Sequence, residues 1–205
     1  MNLLAIDTTG AELSLALRRG GRTLTFARTL AQPHDETLLP QARRLMKRAG
    51  LRWGDLDALA AASGPGRFTG IRIGMAFAAV LAERLRVPAF AVSRLEALAA
   101  KTPGALLCAA LPGWRDETFY QLFRRASGGA VRPAAPPVWA SSQQWSEARL
   151  GLPARGAVLA EGAVRAQDLL ACAERLGRRR RRPAFAPLYL KPASYELKPK
   201  AGAPR

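Results

Sequence analysis

The amino-acid sequence predicts an α/β fold in which three strands precede alternating helices and strands. The apolar run LLAID opens the chain, and the strand-like runs LSLALRR and RTLTFART flank Gly20 and Gly21, a two-glycine hairpin signal. From His34 the apolar residues recur at three- and four-residue spacing until Gly50, which predicts a helix. The first hundred residues therefore predict the order β-β-β-α-β-α-β-α.

The later elements follow from the same signals. The run LDALAAAS predicts a buried strand, and a helix follows over 69–84 with Thr69 as a candidate N-cap. The strand AFAV then leads to a helix capped by Ser93, with Glu96 at capping-box spacing. In the second half, ALLCAAL, TFYQLF and AVLAEG predict strands, while SSQQWSEARL and AQDLLACAERLG predict helices. SGGAVRPAAPP indicates a loop or a poor edge strand, and PAFAPLYLKP indicates an extended segment.

The composition predicts a folded and strongly basic protein. Of the 205 residues, 49% are hydrophobic and 23% are charged, and the net charge is +17. Such a charge favours nucleic-acid phosphates, although abundant arginine is also typical of a GC-rich coding genome. The densest basic run supplies five candidate nucleic-acid contacts: Arg178, Arg179, Arg180, Arg181 and Arg182. The sequence leaves open whether this run is a functional patch or an effect of genome composition.

The cysteines and the chain start bear on the cellular compartment. Cys108 and Cys172 show neither CxxC nor Cys/His spacing, which indicates buried free thiols rather than a zinc site or a disulfide framework. No basic and apolar signal region opens the chain, and no apolar run reaches the length of a membrane span. We therefore expect a soluble, cytoplasmic protein with no membrane partner.

The glycine-rich segment SGPGRFTGIRIG at 63–74 admits two interpretations. Gly64 and Gly66 permit a sharp turn, and the N–H groups at the start of the following helix can hold an anion. However, the segment lacks both the lysine of a Walker loop and the acidic partner of a dinucleotide fingerprint. Gly70 and Gly74 repeat at four-residue spacing, so the second interpretation is a helix face that packs closely against another backbone or helix.

The motif AIDTTG is a second candidate nucleotide site, at Asp7, Thr8 and Thr9. A carboxylate at the end of a first strand, followed by hydroxyl groups, can hold metal-bound water and face phosphates, as in ATPases of the actin and sugar-kinase type. The alternative is that these side chains satisfy the hydrogen bonds of a turn.

Four segments together resemble the TsaB family. They are LLAIDTT, HDETLLP at 34–40, the run from 56 to 98 that contains the glycine-rich segment, and PLYLKP at 187–192. The resemblance covers most of residues 1–100 and is thin beyond residue 105. It implies an α/β fold of the actin/Hsp70/sugar-kinase (ASKHA) type with two similar lobes, at 1–103 and 104–205, of which the second is shortened and degenerate.

The resemblance also implies a function. TsaB proteins are the non-catalytic partners of TsaD in the bacterial synthesis of threonylcarbamoyladenosine beside the tRNA anticodon. TsaD would carry the ATP and the metal ion, so this chain would need no cofactor of its own. TsaE would support repeated rounds of the modification reaction. We expect a heterodimer with TsaD and tRNA bound through the complex; whether the isolated chain forms a homodimer stays open.

By the same resemblance, the partner surface would lie on the helix over 34–50 and the helix over 70–84. The interface candidates are His34, Leu38, Leu39, Arg43, Gly70, Arg72, Ile73, Gly74, Phe77 and Ala78. The sequence contains one histidine, so we interpret His34 as an interface or cap residue rather than a metal ligand.

Two departures from the family pattern bear on function. Arg67 stands where the family usually has a small residue, and Pro112 stands where the second lobe usually has an aspartate, with Glu117 and Phe119 retained. These departures weaken the case for a working nucleotide cleft between two lobes. Two other hypotheses are a small ATPase or kinase that uses the AIDTTG residues, and a protease, for which the sequence shows no nucleophile beside a base.

Overall fold

The computed structural model describes residues 1–29, 33–113, 116–179 and 183–191, and its first half alternates strands and helices. The elements of this half are β1 (Leu3–Asp7), β2 (Glu12–Arg19), β3 (Arg22–Thr29), α1 (His34–Arg48), a 3-10 turn (Trp53–Asp55), β4 (Ala58–Gly64), α2 (Phe68–Leu85), β5 (Ala89–Ser93) and α3 (Arg94–Lys101). This order confirms the β-β-β-α-β-α-β-α prediction.

The first sheet has the strand order β3-β2-β1-β4-β5. The β2–β3 hairpin turns at Gly20 and Gly21, both at positive φ, as the two-glycine signal predicts. β1 runs antiparallel to β2 and parallel to β4, and β4 runs parallel to β5. Every residue of β1 and β4 is buried, which explains why both read as continuous apolar runs.

The second half forms a smaller sheet of short strands. Its elements are β6 (Leu106–Pro112), β7 (Thr118–Arg125), β8 (Val131–Pro133), β9 (Val138–Ala140), α4 (Ser142–Leu150), a 3-10 turn (Pro153–Arg155), β10 (Val158–Ala160) and α5 (Ala166–Gly177). The strand order is β10-β6-β7-β8, and β9 also pairs with β7. The predicted strands β6, β7 and β10 are confirmed, the segment predicted as a loop or a poor edge strand forms the edge strand β8, and β9 was not predicted.

The helices form two layers around the first sheet. α1 and α2 bury their apolar residues on one face, in a cluster with β1, β2 and β4. α3 and α5 cover the other face, in a cluster that also includes residues of β6 and β7 from the second sheet. The last helix of the second half therefore packs on the sheet of the first half, which joins both halves through one core. No helix of the described residues combines the length and apolar character that crossing a bilayer requires.

The start of α2 differs from its prediction. The helix begins at Phe68, and its N-cap is Arg67, which makes no side-chain cap hydrogen bond, so the expectation that Thr69 caps the helix is wrong. The turn before it is tighter than the sequence indicated. The Gly64–Pro65 peptide is cis, Gly64 has φ of +109°, and the Arg67 N–H donates to the Thr9 carbonyl at 2.7 Å. The N–H of the N-cap residue is therefore already paired within the chain.

The small-residue face of α2 packs against the chain's own first strand. Gly70, Gly74 and Ala78 are buried, and a Cβ at Gly70 would overlap the Thr8 carbonyl oxygen, while one at Gly74 would lie 2.5 Å from Thr8 Oγ1. The end of β1 and the turn after it occupy the space beside Gly70 and Gly74, and this packing disfavours the prediction that this face meets another protein. Leu38 of α1 is 2% exposed in the same core, which disfavours the prediction that it contacts a partner.

Replacing Gly70 by alanine tests this close approach. We expect Gly70→Ala to lower the free energy of unfolding by about 2 kcal/mol or more, because the neighbouring atoms are backbone and cannot swing aside. Chemical denaturation measures the difference. The matched control is Gly54→Ala, where a Cβ meets nothing within 4 Å, and its effect should stay within about 0.5 kcal/mol. A Gly70→Ala protein as stable as the control would contradict the packing.

The two core cysteines give a second prediction. Both thiols are free and buried, and burial, the larger cause, raises the pKa of Cys172 to about 12 and that of Cys108 to about 11. A raised pKa leaves little reactive thiolate near pH 8. We therefore expect iodoacetamide at pH 8 to label neither cysteine in the native chain and both in guanidinium, as mass spectrometry would show. Labelling of the native protein at the rate of the unfolded chain would contradict this placement.

Candidate functional site

The turn after β1 holds the three residues of the predicted nucleotide site. Asp7, Thr8 and Thr9 are at most 3% exposed. Asp7 Oδ1 accepts hydrogen bonds from the Thr9 backbone N–H at 2.9 Å and from Thr9 Oγ1 at 2.6 Å. This is the pattern of an aspartate that closes its own turn, and it satisfies one carboxylate oxygen within the chain.

The other carboxylate oxygen of Asp7 is held by a distant cation. Arg94, the first residue of α3, donates from Nε to Asp7 Oδ2 at 3.1 Å and from a terminal nitrogen to the Pro65 carbonyl at 3.1 Å. The Arg94 side chain is 14% exposed, so the ion pair is largely shielded from water. This one guanidinium therefore ties together the first-strand turn, the glycine-rich segment and α3.

Thr8 completes the internal closure of this site. Its Oγ1 donates to the Gly70 carbonyl at 2.6 Å, and its own carbonyl lies 3.1 Å from His34 Nδ1. His34 Nε2 lies 3.3 Å from the Ala11 carbonyl, so the ring bridges both sides of the turn. The N-cap of α1 is Pro33, which makes the cap interpretation of His34 wrong. The described residues contain no group of three or more His, Cys, Asp or Glu side chains placed to hold a metal ion.

These contacts do not fit a nucleotide site. A phosphate or a metal-bound water at Asp7 would have to displace the Arg94 guanidinium, and the two threonine hydroxyl groups already donate within the protein. The Arg67 N–H, which an anion would use, is paired with the Thr9 carbonyl. The turn interpretation of AIDTTG and the packing interpretation of the glycine-rich segment therefore describe this geometry better than the phosphate interpretations.

The outward face of α2 carries a ridge at four-residue spacing. Phe68 is 51% exposed and Val80 is 68% exposed, and Arg72 and Ala76 lie exposed between them. The Arg72 guanidinium lies 3.8 Å from the centre of the Phe68 ring, a cation–π distance. We call Phe68, Arg72, Ala76 and Val80 the α2 ridge. The residues of the α2 ridge are each offset by two positions from the buried residues Gly70, Gly74 and Ala78. Two positions correspond to about half a turn of the helix, so the ridge and the small-residue face point in opposite directions.

The predicted interface residues divide between this surface and the core. Leu39 is 47% exposed, Arg43 and Arg72 are exposed, and Ile73 and Phe77 are half-buried beside the ridge. Phe68 and Val80 were not among the predicted interface residues. The signal that could have found them is the second four-residue stripe on α2, which is larger and more apolar than a solvated helix face requires.

An extended segment over 183–191 borders the α2 ridge. The Leu188 N–H donates to the Ser63 carbonyl at 2.7 Å, and the Tyr189 ring packs 4.9 Å from that of Phe68. Arg72 Nε donates to the Tyr189 hydroxyl at 3.2 Å. An apolar groove of about 440 Å³ lies between this segment and α2, lined by Arg72, Met75, Ala76, Ala79, Phe185, Pro187 and Tyr189.

Several residues that the sequence singled out lie in the second half of the chain. Pro112 ends β6, Phe119 is 6% exposed in the core, and Glu117 forms an ion pair with Lys191 at the end of the extended segment. Arg178 and Arg179 are exposed just beyond α5, whereas Arg180, Arg181 and Arg182 lie outside the described residues.

A double-mutant cycle tests the Asp7–Arg94 pair. We expect Arg94→Met to lower the free energy of unfolding by about 3 kcal/mol, because it leaves the Asp7 carboxylate buried without its cation. Adding Asp7→Asn should restore at least about 1 kcal/mol, since the amide carries no charge. Thermal or chemical denaturation of the three variants and the wild type gives the coupling.

The exposed Glu12–Arg165 pair provides the control for this cycle. Arg165 is 48% exposed, so Arg165→Met should cost less than about 1 kcal/mol. Additive effects of Arg94→Met and Asp7→Asn would show that the two side chains do not depend on each other.

Comparison with known proteins identifies the family. A sequence model of the family described as "TsaD: tRNA N6-adenosine threonylcarbamoyltransferase" matches residues 27–191. The Escherichia coli (strain K12) protein named tRNA threonylcarbamoyladenosine biosynthesis protein TsaB is 31% identical over 133 residues, which cover 63% of this chain and 58% of that protein. The protein of the same name from Bacillus subtilis (strain 168) is 38% identical over 101 residues, 49% of this chain and 44% of that one. The matches thus span about half the length of these relatives.

A solved structure agrees with these matches. YeaZ from Pseudomonas aeruginosa is 28% identical, with a TM-score of 0.76 over 92% of this chain and 99% of that chain. The likeness to YeaZ, the two mixed sheets and the family match confirm the predicted fold of the actin and sugar-kinase type. The chain therefore belongs to the family of this TsaD sequence model, and its similarity to the proteins named TsaB confirms the TsaB family that its motifs predict.

Proposed function

We propose that this chain is a non-catalytic subunit of the complex that makes threonylcarbamoyladenosine beside the tRNA anticodon, and that it acts by binding and activating TsaD. The relatives named TsaB are biosynthesis proteins for this nucleoside by name. The observation that carries the proposal is the contrast between the two sides of α2. Its inner face packs against the Asp7-Thr8-Thr9 turn, one of the two candidate nucleotide sites, and its outer face exposes an apolar ridge.

The geometry of the first-strand turn supports the proposed non-catalytic role. Asp7 would have to lose its bonds to Arg94 and Thr9 before it could hold metal-bound water, which disfavours the alternative of a small ATPase or kinase. In the proposed complex TsaD carries the ATP and the metal ion, and this chain supplies a surface. Mg-ATP turnover by the purified chain that collapses in Asp7→Ala would revive the alternative.

The proposed TsaD-binding surface is the outward side of α1 and α2. The α2 ridge exposes Phe68 and Val80, α1 exposes Leu39, and Arg43 on α1 adds a cation. Surfaces of this kind, apolar and bordered by charge, mark protein interfaces. Ile73 and Phe77 remain interface candidates at the edge of the ridge. In the absence of TsaD, the same surface would allow two copies of the chain to pair.

The remaining parts of the proposal concern the other components. TsaE joins TsaD and this chain and supports repeated rounds of the modification reaction. The exposed Arg178 and Arg179 contribute to tRNA binding. Because the proposed substrate is tRNA, the proposal includes a cytoplasmic location. We also retain the division into lobes at 1–103 and 104–205, with the second lobe shortened.

An aspartate on the α2 ridge tests the partner surface. We expect Val80→Asp to reduce co-purification with TsaD at least tenfold, because a charge buried in an apolar interface must be desolvated without a partner. Affinity capture of tagged TsaD co-expressed with each variant measures the loss. The matched control is Leu150→Asp on α4, where the leucine is 82% exposed and far from α2 in the sequence.

The control should capture as much TsaD as the wild type does. The proposed function is wrong if the wild type and both variants fail to capture TsaD and a strain that lacks this chain still contains the modified nucleoside. If Val80→Asp binds normally and Leu150→Asp does not, the function stands and the surface is misplaced.

A further inference from the structure

Five exposed cations from three separate segments meet at one end of the first sheet. Arg19 and Arg22 flank the turn of the β2–β3 hairpin, Lys47 and Arg48 end α1, and Arg178 follows α5. We call these five residues the basic end. In the sheet register Leu3 pairs with Arg18 and Asp7 pairs with Ser14, so the basic end lies at the opposite end of β1 from the Asp7 turn.

Specific contacts hold these three segments together. The Arg19 guanidinium donates to the Ala49 carbonyl, which fixes the hairpin against the end of α1. On the other face of the sheet, Arg18 pairs with Glu174 of α5 at 3.5 Å. A cavity of about 580 Å³ lies there, and its lining includes Arg18, Gly21, Glu174 and Arg178. The hairpin therefore stands between the ends of two helices, and the cations form one surface.

The negative charges near this surface are already paired. Asp55 lies 3.7 Å from Arg52, Asp57 lies 4.0 Å from the Met1 amine, and Glu174 is paired with Arg18. By contrast, the ion pairs of the described residues include none of the five cations of the basic end. The surface therefore carries uncompensated positive charge, which repels itself and attracts a polyanion.

We propose that the basic end binds the phosphate backbone of RNA. This rests on the proposed function, in which tRNA is the substrate, and extends the RNA contact beyond the linear arginine run to a surface built from the hairpin, α1 and α5. Arginine and lysine at the ends of separate elements can each reach one phosphate and release its counterions. Of the large exposed apolar side chains in the described residues, only Met1 lines the adjoining cavity, which favours a nucleic acid over a lipid surface.

Two variants with the same loss of charge test this proposal. The test variant carries Arg22→Gln, Lys47→Gln, Arg48→Gln and Arg178→Gln, and it keeps Arg19 because that side chain anchors the hairpin. The control variant carries the same change at four exposed arginines of the second half: Arg124, Arg132, Arg149 and Arg155. Fluorescence anisotropy with an unmodified tRNA transcript, at several KCl concentrations, gives the affinity and its salt dependence for each full-length chain.

The proposal makes a directional prediction for the slope of log affinity against log salt. In the test variant this slope should flatten by about three, because each lost phosphate contact removes roughly 0.7–0.9. Affinity at low salt should fall at least tenfold, while the control should keep the wild-type slope within about one. Equal losses in both variants, or a wild-type chain that does not bind the transcript, would overturn the proposal.

Capture of TsaD by the same proteins separates this proposal from the proposed function. We expect the test variant to capture as much TsaD as the wild type does, because none of its four substitutions falls on Leu39, Arg43 or the α2 ridge. If all three proteins fail to capture TsaD while the difference in RNA binding persists, the proposed function fails and the RNA surface stands.

Discussion

The close approach between α2 and the first-strand turn is the constraint on which the rest of the structure depends. Gly66, Gly70 and Gly74 follow one another along α2 and the turn before it, and a Cβ at any of them would overlap an atom of Thr8 or Thr9. The helix can lie this close because these positions lack side chains. The same contact buries the small-residue face and turns the α2 ridge outward. The packing of α2 on the first-strand turn therefore determines which side chains of the helix are exposed for a partner.

The buried charges follow from this contact. With α2 against β1, the Pro65 carbonyl and the Asp7 carboxylate lie within reach of one guanidinium, that of Arg94. Such a pair contributes little net stability compared with apolar packing, but removing one partner leaves a costly charge behind. It fixes the geometry of the turn and occupies the carboxylate that a related ATPase would use for a metal ion. A fold of the ATPase type is thereby compatible with a binding role.

Periodicity and turn residues predicted the order of elements in the first half, because each depends on local sequence. The small-residue stripe by itself could not decide which side of α2 is buried. The stripe of Gly70 and Gly74 shows that some backbone approaches closely, but not whether it belongs to this chain or to another. Nor could local signals predict the pairing of Asp7 with Arg94, which are 87 positions apart. The two stripes of α2, read together, would have assigned the small one to the core and the large one to the surface.

Hydrogen–deuterium exchange of the chain, alone and bound to TsaD, tests the central claim most directly. The claim is that α2 serves the core with one face and the partner with the other. It predicts slower exchange on binding in the segments over 68–85 and 183–191, with α4 unchanged. Protection centred on α4 or the second sheet, with none in α2, would contradict it.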